Sequence, residues 1–511
     1  MTKKIISSKL LVLLLMTSTA IAQLPRSTPE AEGVSSTAIL DFIKAVENSK
    51  NEFHSIMILR HGKVITEGWW KPYRADLRHT MYSVSKSFTA TAIGFAVTEK
   101  KLSVNDKVIS FFPEELPDTV SDYLKELSVK DLLTMSVGQD PEPTGPVIVT
   151  QENWVKGFLA TPIKHKPGSV FLYNSLATYM LSAIVQKVTG EQVLQYLTPR
   201  LFSPLGIKNI DWEIDPKGIN SGGWGLRLKT EDMAKFGQLF LQKGKWQGKQ
   251  IIPSAWVEEA STFKIDQKPE LSQAEKDKSD WTQGYCYQMW RCKNNAYRGD
   301  GAFGQYIIVM PDQDAVIAIT SETGDMQDEL NLVWKHLLPA MGNKKLPVSS
   351  NTLALKQKMA SLSLKAPLKN ISPGSLPLIA GKTIVLDKNE KNIERFSFSV
   401  NKASYTMIMK SDTSTYTFSF NSGQWRNGVT GRKGPNLVYR AKGHFKGLPA
   451  PLISGAYFWQ DNNSLELDLR YIESPHTEKM VFHFEGEEVQ IEIQNSFDPS
   501  SKTTLKGKIK S

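Results

Sequence analysis

Between Arg78 and Glu99 the chain carries a single formal charge, Lys86, in a stretch that reads HTMYSVSKSFTATAIGFAVT (residues 79–98). Val84, Phe88, Ala92, Phe95 and Ala96 cover most of the surface of the helix this stretch predicts. A helix apolar nearly all round has to be buried, so the fold must wrap other elements around it and take one amine inside. Burying an ammonium is costly, and the cost is relieved by lowering its pKa. A lysine that has lost its charge can accept a proton. Ser83 lies three residues earlier, on the same face one turn back. There the positive end of the helix dipole disfavours a charged amine and favours an alkoxide developing on the serine. Serine and lysine at this spacing form the S-x-x-K arrangement of acyl-transfer chemistry. The plainer alternative is an N-cap serine followed by a lysine that buries its stem and keeps its head in water. The tetrapeptide recurs at Ser261/Lys264 and Ser399/Lys402. Neither has an apolar helix behind it, and both are read as coincidence.

Two further segments carry chemistry. Residues 167–190, PGSVFLYNSLATYMLSAIVQKVTG, lead from a Pro-Gly turn through Tyr173-Asn174-Ser175 into an apolar helix closed by Gly190. A tyrosine so placed can share proton traffic with Lys86, and Ser175 can bond the lysine or a substrate, with Asn174 supporting. A packing tyrosine at the start of a helix is the bland alternative. Residues 298–311, RGDGAFGQYIIVMP, set glycines before an apolar strand, which lets backbone approach a ligand closely. The backbone N–H groups of Ser83 and Ala302 are candidates for an oxyanion hole; a glycine-rich hairpin turn is the alternative.

The chain has 511 residues and divides as 1–22, 23–340, 341–376 and 377–511. Lys3, Lys4 and Lys9, the apolar run from Leu10 to Met16 and Ala20-Ile21-Ala22 form the pattern of a cleavable secretory signal. The run is too short to span a bilayer, so a periplasmic or secreted protein without a transmembrane anchor is expected. Residues 29–48 predict an amphipathic helix with Ile39, Phe42, Ile43 and Val46 inward. Residues 54–60 and 63–70 predict a hairpin around His61-Gly62. Further strands are expected at 281–290, 305–310 and 315–320. Cys286 and Cys292 lie on one predicted strand running into a turn. They form either a disulfide, if the chain folds back between them, or two buried thiols. Residues 341–376, with a weakly helical stretch from Leu353 to Met359, read as a linker. Beyond it, KTIVLD, RFSFSV, SYTMIMK, TYTFSF, NLVYRA, LISGAYFW, SLELDLRYI, KMVFHFEG and EVQIEIQ predict an all-β meander, a small barrel or sandwich. Its aromatics, including Trp425, Tyr457, Phe458 and Trp459, are read as core.

Taken together, the S-x-x-K helix, the Tyr173 segment and the 298–311 segment resemble, in order and spacing, the class C β-lactamase-type serine hydrolases. That superfamily holds β-lactamases, D-Ala-D-Ala peptidases, esterases and 6-aminohexanoate-dimer hydrolases. LSVKDLLTMSVG (127–138), PRLFSPLGI (199–207) and GGWGLRLKTEDMAKFGQLFL (222–241) share the resemblance, which covers roughly residues 28–340. It implies an antiparallel sheet flanked by helices, with a helical subdomain and the nucleophile helix at their junction. It also implies Ser83 as acylated nucleophile, Lys86 as its partner and Tyr173 as second proton carrier. Tyr173-Asn174-Ser175 departs from the usual Y-x-N and is similar to the 6-aminohexanoate-dimer hydrolase branch. Gly299-Asp300-Gly301 stands where K-T-G or H-x-G is usual. The missing cation, with Asp300 expected to repel a carboxylate, points to esters and amides rather than β-lactams or cell-wall peptides. The alternatives are a β-lactamase or D-Ala-D-Ala carboxypeptidase and, outside enzymes, a degenerate hydrolase that binds cell wall.

Other chemistries lack support. There is no G-x-S-x-G elbow, no H-x-H or H-E-x-x-H and no G-x-x-x-x-G-K-[ST]. No cofactor and no metal are expected. The net charge of +10 is spread without a dense Lys/Arg block, which argues against a nucleic-acid partner and leaves a small ester, amide or peptide-like substrate.

Overall fold

The computed structural model describes residues 23–368, 379–401 and 404–510. The candidate signal segment 1–22, residues 369–378 across the linker's end and the expected start of the β domain, and Lys402 lie outside them. Strands Glu52–Arg60 and Lys63–Trp69 pair antiparallel around His61 (φ 49°) and Gly62 (φ 72°), the left-handed pair that a two-residue hairpin turn needs. Strand Ala315–Glu322 lies on the other side of Glu52–Arg60, followed by Gln305–Met310, Tyr297–Gly301 and Trp290–Arg291. Among the described residues these form one antiparallel sheet with both faces covered, so its central strands carry apolar residues on both faces. Ile56, Ile58, Ile308, Ile317 and Ile319 turn to one side, against Ile39, Phe42, Ile43 and Val46 of helix Ser36–Asn48. Met57, Leu59, Ile307, Val309, Val316 and Ala318 turn to the other, against helix Thr230–Leu241 and the buried helix Ser85–Thr98. Short helices from Asp122 onward and the long helix Ser175–Thr189 build the helical region beside it. The expected architecture, an antiparallel sheet flanked by helices with a helical subdomain, is the one the chain adopts.

Two local expectations are corrected. Residues 281–290 are not a strand. The chain doubles back, with Cys286 N–H donating to the Met289 carbonyl at 2.8 Å and Gln288 at φ 59°. Despite this reversal both cysteines are free buried thiols, and Cys292 Sγ accepts from Arg298 at 3.1 Å. Within residues 341–376 the weakly helical stretch is a helix. Helix Asn351–Ser361 lays Leu355 and Met359 into the sheet's first core, and Leu362 and Leu364 bond the backbone of Lys71. NLVYRA is not a strand either, because the chain leaves the β domain there.

The β domain is a barrel. Strands Thr383–Leu386, Ile393–Asn401, Ser404–Ser411 and Thr415–Ser422 run consecutively on one side, and Leu452–Trp459, Ser464–Tyr471, Thr477–Glu485, Glu488–Asn495 and Asp498–Lys510 on the other. Asp498–Lys510 is long but polar and mostly exposed, which hid it from a hydrophobicity reading. Thr383–Leu386 joins Asp498–Lys510, and the parallel pairs Asn421↔Ala456 and Ser422↔Tyr457 close the ring. Closing the ring pairs edges that an open sheet would expose to unwanted partners. Phe396, Phe398, Tyr405, Phe418, Phe420 and Phe482 fill its interior. Tyr457 and Trp459 are core, as expected, whereas Phe458 on the opposite strand face is only half-buried and Trp425 sits outside, donating to the Leu364 carbonyl at 2.8 Å.

The barrel docks onto the sheet domain through the turn between Ser464–Tyr471 and Thr477–Glu485. Glu473 takes Arg78 at 3.0 Å and Arg227 at 3.2 Å, and its carbonyl accepts the Thr80 N–H at 2.9 Å. Arg470 meets Glu52 through both carboxylate oxygens. Glu473 is 4% exposed, and removing one member of a buried ion pair leaves the other uncompensated. Glu473→Ala is therefore expected to lower stability by about 3 kcal/mol, read from guanidinium unfolding; a loss below about 1 kcal/mol would mean the pair is wet.

Candidate active site

The segment before Ser83 is unusual. Tyr82 holds φ 44°, a left-handed conformation that costs a non-glycine residue about 1–3 kcal/mol. Its phenol bonds His476 Nε2 of the barrel at 2.5 Å, and His476 Nδ1 bonds Glu322 at 2.6 Å. The short turn Tyr82–Val84 then runs straight into helix Ser85–Thr98, which sets Ser83 at the helix entrance.

Lys86 is 1% exposed. Its Nζ lies 3.1 Å from Ser83 Oγ, 3.0 Å from Ser175 Oγ and 2.7 Å from the Gly223 carbonyl. Burial lowers its pKa to about 7, against the pull of Glu142 and Asp300. Nζ donates to all three oxygens; a neutral amine has two N–H groups for Gly223 and Ser175 and a lone pair that can accept from the Ser83 hydroxyl instead. Tyr173 lies alongside, with Lys86 Nζ 5.0 Å from its ring centroid and Trp290 stacked on it at 5.6 Å. Burial raises the phenol's pKa, with Ser83 pulling the other way, so it is a neutral proton donor near pH 7. Asn174 faces elsewhere. Its side chain caps helix Ser175–Thr189 by accepting the Ala177 N–H at 3.0 Å and donates to Gln139 at 3.0 Å, so its support consists of placing Tyr173 and Ser175 on either side of it. Ala302 lines the same cavity of about 480 Å³ as Ser83, Ser175 and Gly223. The structure thus brings Ser83, Lys86, Tyr173, Ser175 and Ala302 together. Of the other two S-x-x-K occurrences, Ser261 bonds the Val257 carbonyl and Lys264 pairs with Glu259, while Ser399 is in a barrel strand.

A family model described as Beta-lactamase matches residues 53–338. The chain belongs to the beta-lactamase family. A 6-aminohexanoate-dimer hydrolase of Paenarthrobacter ureafaciens is 24% identical over 331 residues, spanning 61% of this chain and 83% of that protein. Protein flp of Staphylococcus aureus is 27% identical over 168 residues, 30% of this chain, which matches only 34% of flp. Among solved structures, a candidate 6-aminohexanoate-dimer hydrolase from Bacillus anthracis has a TM-score of 0.52 at 21% identity, covering 64% of this chain and 89% of its own. A candidate beta-lactamase from Bacteroides dorei has a TM-score of 0.50 at 16% identity, covering 60% and 99%. These structural likenesses show the fold. The chain is thus a beta-lactamase-fold member of a hydrolase family.

Within this family frame, the Gly-Asp-Gly strand needs one correction. Gly299 and Gly301 face the Ser83 segment and its helix: a Cβ on Gly301 would stand 2.3 Å from the Met81 carbonyl, and one on Gly299 3.3 Å from Ser87 Oγ. Asp300 turns to the opposite face, where Arg298 holds it through Nε and the adjacent NH2, both at 2.8 Å. Arg298 is fully buried, with its guanidinium 4.4 Å from the Trp281 ring centroid. Asp300 is therefore a neutralised partner rather than a free carboxylate aimed at substrate, and Arg298 is not available to bind one.

Sequence reasoning missed three contributors. The Gly223 carbonyl lies inside a motif already singled out, but nothing marked it as a ligand of Lys86. Glu142 lines the cavity from the segment before helix Thr144–Thr150. Residues 437–441 reach the cavity from the barrel, and in the sequence they look like one more strand. Among the described residues no helix is long and apolar enough to cross a membrane.

Proposed function

We propose that the protein is a serine hydrolase that cleaves an ester or amide through an acyl-enzyme on Ser83. The observation that carries the reading is the buried Lys86 amine, 3.1 Å from Ser83 Oγ with its pKa near 7. The Ser83 hydroxyl proton passes to Lys86 as Oγ attacks the substrate carbonyl. The backbone N–H groups of Ser83 and Ala302 receive the oxyanion. Collapse breaks the bond to the leaving alcohol or amine, which departs with a proton delivered from Lys86 through the Tyr173 phenol. Water then attacks the acyl-enzyme, gives a proton to the same pair and releases the acid and Ser83. Burial divides the roles by pushing the two pKa values apart, leaving Lys86 as base and Tyr173 as donor.

The ester and amide preference rests on the third motif. No side chain extends from Gly299, and Arg298 is committed to Asp300. Steady-state hydrolysis of p-nitrophenyl acetate and of nitrocefin tests this. The ester should turn over with the larger kcat/KM, and rapid nitrocefin turnover lost in Ser83→Ala would reassign the protein as a β-lactamase. Tyr173→Phe, which keeps the ring and its stack on Trp290, should cost about 10²-fold in kcat. The cost should be smallest for p-nitrophenolate, a leaving group that needs no proton. Equal losses for that ester and for an alkyl amide would argue against Tyr173 as donor.

A further inference from the structure

The chain leaves the barrel after strand Arg426–Val429 and returns at Leu452–Trp459. The intervening residues 430–451 cross to the hydrolase domain and are held there on two sides, of which the first, at Ile148, belongs to the lining of the Ser83 cavity. On one side Lys442 N–H donates to the Ile148 carbonyl at 2.8 Å. On the other, Phe445 N–H donates to Glu213 at 2.8 Å and Ile214 N–H to the Lys446 carbonyl at 3.0 Å. Ala441 is buried in the hydrolase core, with Val438 packed against it. Residues 437–441 thus form a fixed wall of the cavity, contributed by the other domain.

That wall is apolar where it meets the opening. Leu437 and Tyr439 are 52% and 49% exposed, and Val149 stands in the same cavity lining at 38%. Large apolar side chains left in water around a concave site mark a surface that something apolar covers. The charges there do not favour an anion. Arg440 donates from Nε to the Tyr439 hydroxyl at 2.9 Å, and Glu142, on the hydrolase side, adds a carboxylate that accepts the Thr144 N–H at 2.6 Å. One charge of each sign borders the opening.

We propose that residues 437–441 select the substrate, which is an ester or amide with an uncharged, apolar acyl chain laid against Leu437, Tyr439 and Val149. This inference rests on the serine-hydrolase reading and adds to it the class of acyl group. The barrel then has a role in catalysis, since it supplies the specificity wall of a site whose nucleophile belongs to the other domain.

The test compares p-nitrophenyl octanoate with p-nitrophenyl acetate on the full chain. Wild type should prefer the octanoate in kcat/KM. In the double variant Leu437→Ser/Tyr439→Ser that preference should fall about tenfold, through KM for the octanoate. Val149→Ser, on the hydrolase side, should move the ratio the same way. All three side chains are exposed, so the fold does not depend on them. Ser83→Ala run in parallel separates the two claims. Hydrolysis that needs Ser83 but keeps its chain-length ratio in both variants, or shows none in wild type, overturns this inference alone. Hydrolysis indifferent to Ser83, or absent for both esters, overturns the serine reading and this inference with it.

Discussion

Ser83→Ala is expected to reduce kcat/KM toward any ester that wild type hydrolyses by about 10⁴-fold or more. The size follows from what is removed. Without Oγ there is no covalent intermediate, and Lys86 has no hydroxyl to deprotonate. What remains is binding in the cavity and polarisation of the carbonyl by backbone N–H groups. The change takes away one oxygen that is neither in the core nor part of a helix cap, so the variant should unfold at the same denaturant concentration as wild type. An activity loss with unchanged stability places the effect in the chemistry. A loss below tenfold would remove Ser83 from the mechanism.

Lys86→Met should cost about 10³-fold in kcat, near the middle of the range for a positioned acid–base group. Methionine fills the volume of the lysine stem without a nitrogen. Lys86→Arg should not restore the rate, because a guanidinium does not give up its proton in proteins. The wild-type pH profile carries the same information. The active form is the neutral amine, so kcat/KM should rise with pH, level off above about 7, and fall tenfold for each pH unit below that midpoint. The direction matters: a buried carboxylate that had to be protonated would give the opposite slope.

Much of this site was legible in the sequence because its logic is local. Ser83 and Lys86 sit one turn apart on one helix, and the helix's apolar surface alone required the lysine to be buried. Tyr173 and Ser175 followed from a turn feeding a second apolar helix. The hairpin at His61-Gly62 and the alternation of the barrel strands were readable for the same reason, since pleat and turn are set by neighbours in the chain. Reading failed where the decisive partner is distant in sequence. Asp300 looked like a charge aimed at substrate because its face depends on which side of strand Tyr297–Gly301 meets the nucleophile helix, and Gly301 against the Met81 carbonyl decides that. NLVYRA has the alternation of a strand, yet its residues form one wall of a cavity whose other walls belong to the hydrolase domain. Helix Asn351–Ser361 shows only a weak pattern of its own, and its docking depends on Leu355 and Met359 joining the sheet's first core beside helix Ser36–Asn48. Tyr82, His476 and Glu322 lie in three separate segments, and no spacing rule links them.

Trapping and mapping the acyl-enzyme probes the nucleophile itself. Incubation with a fluorophosphonate probe, digestion and peptide mass analysis should find one adduct, on the peptide containing Ser83, forming faster as pH rises through about 7 and absent from Ser83→Ala. Labelling at another residue, or turnover of ester by a chain that the probe leaves unmodified, would rule out Ser83 as the nucleophile.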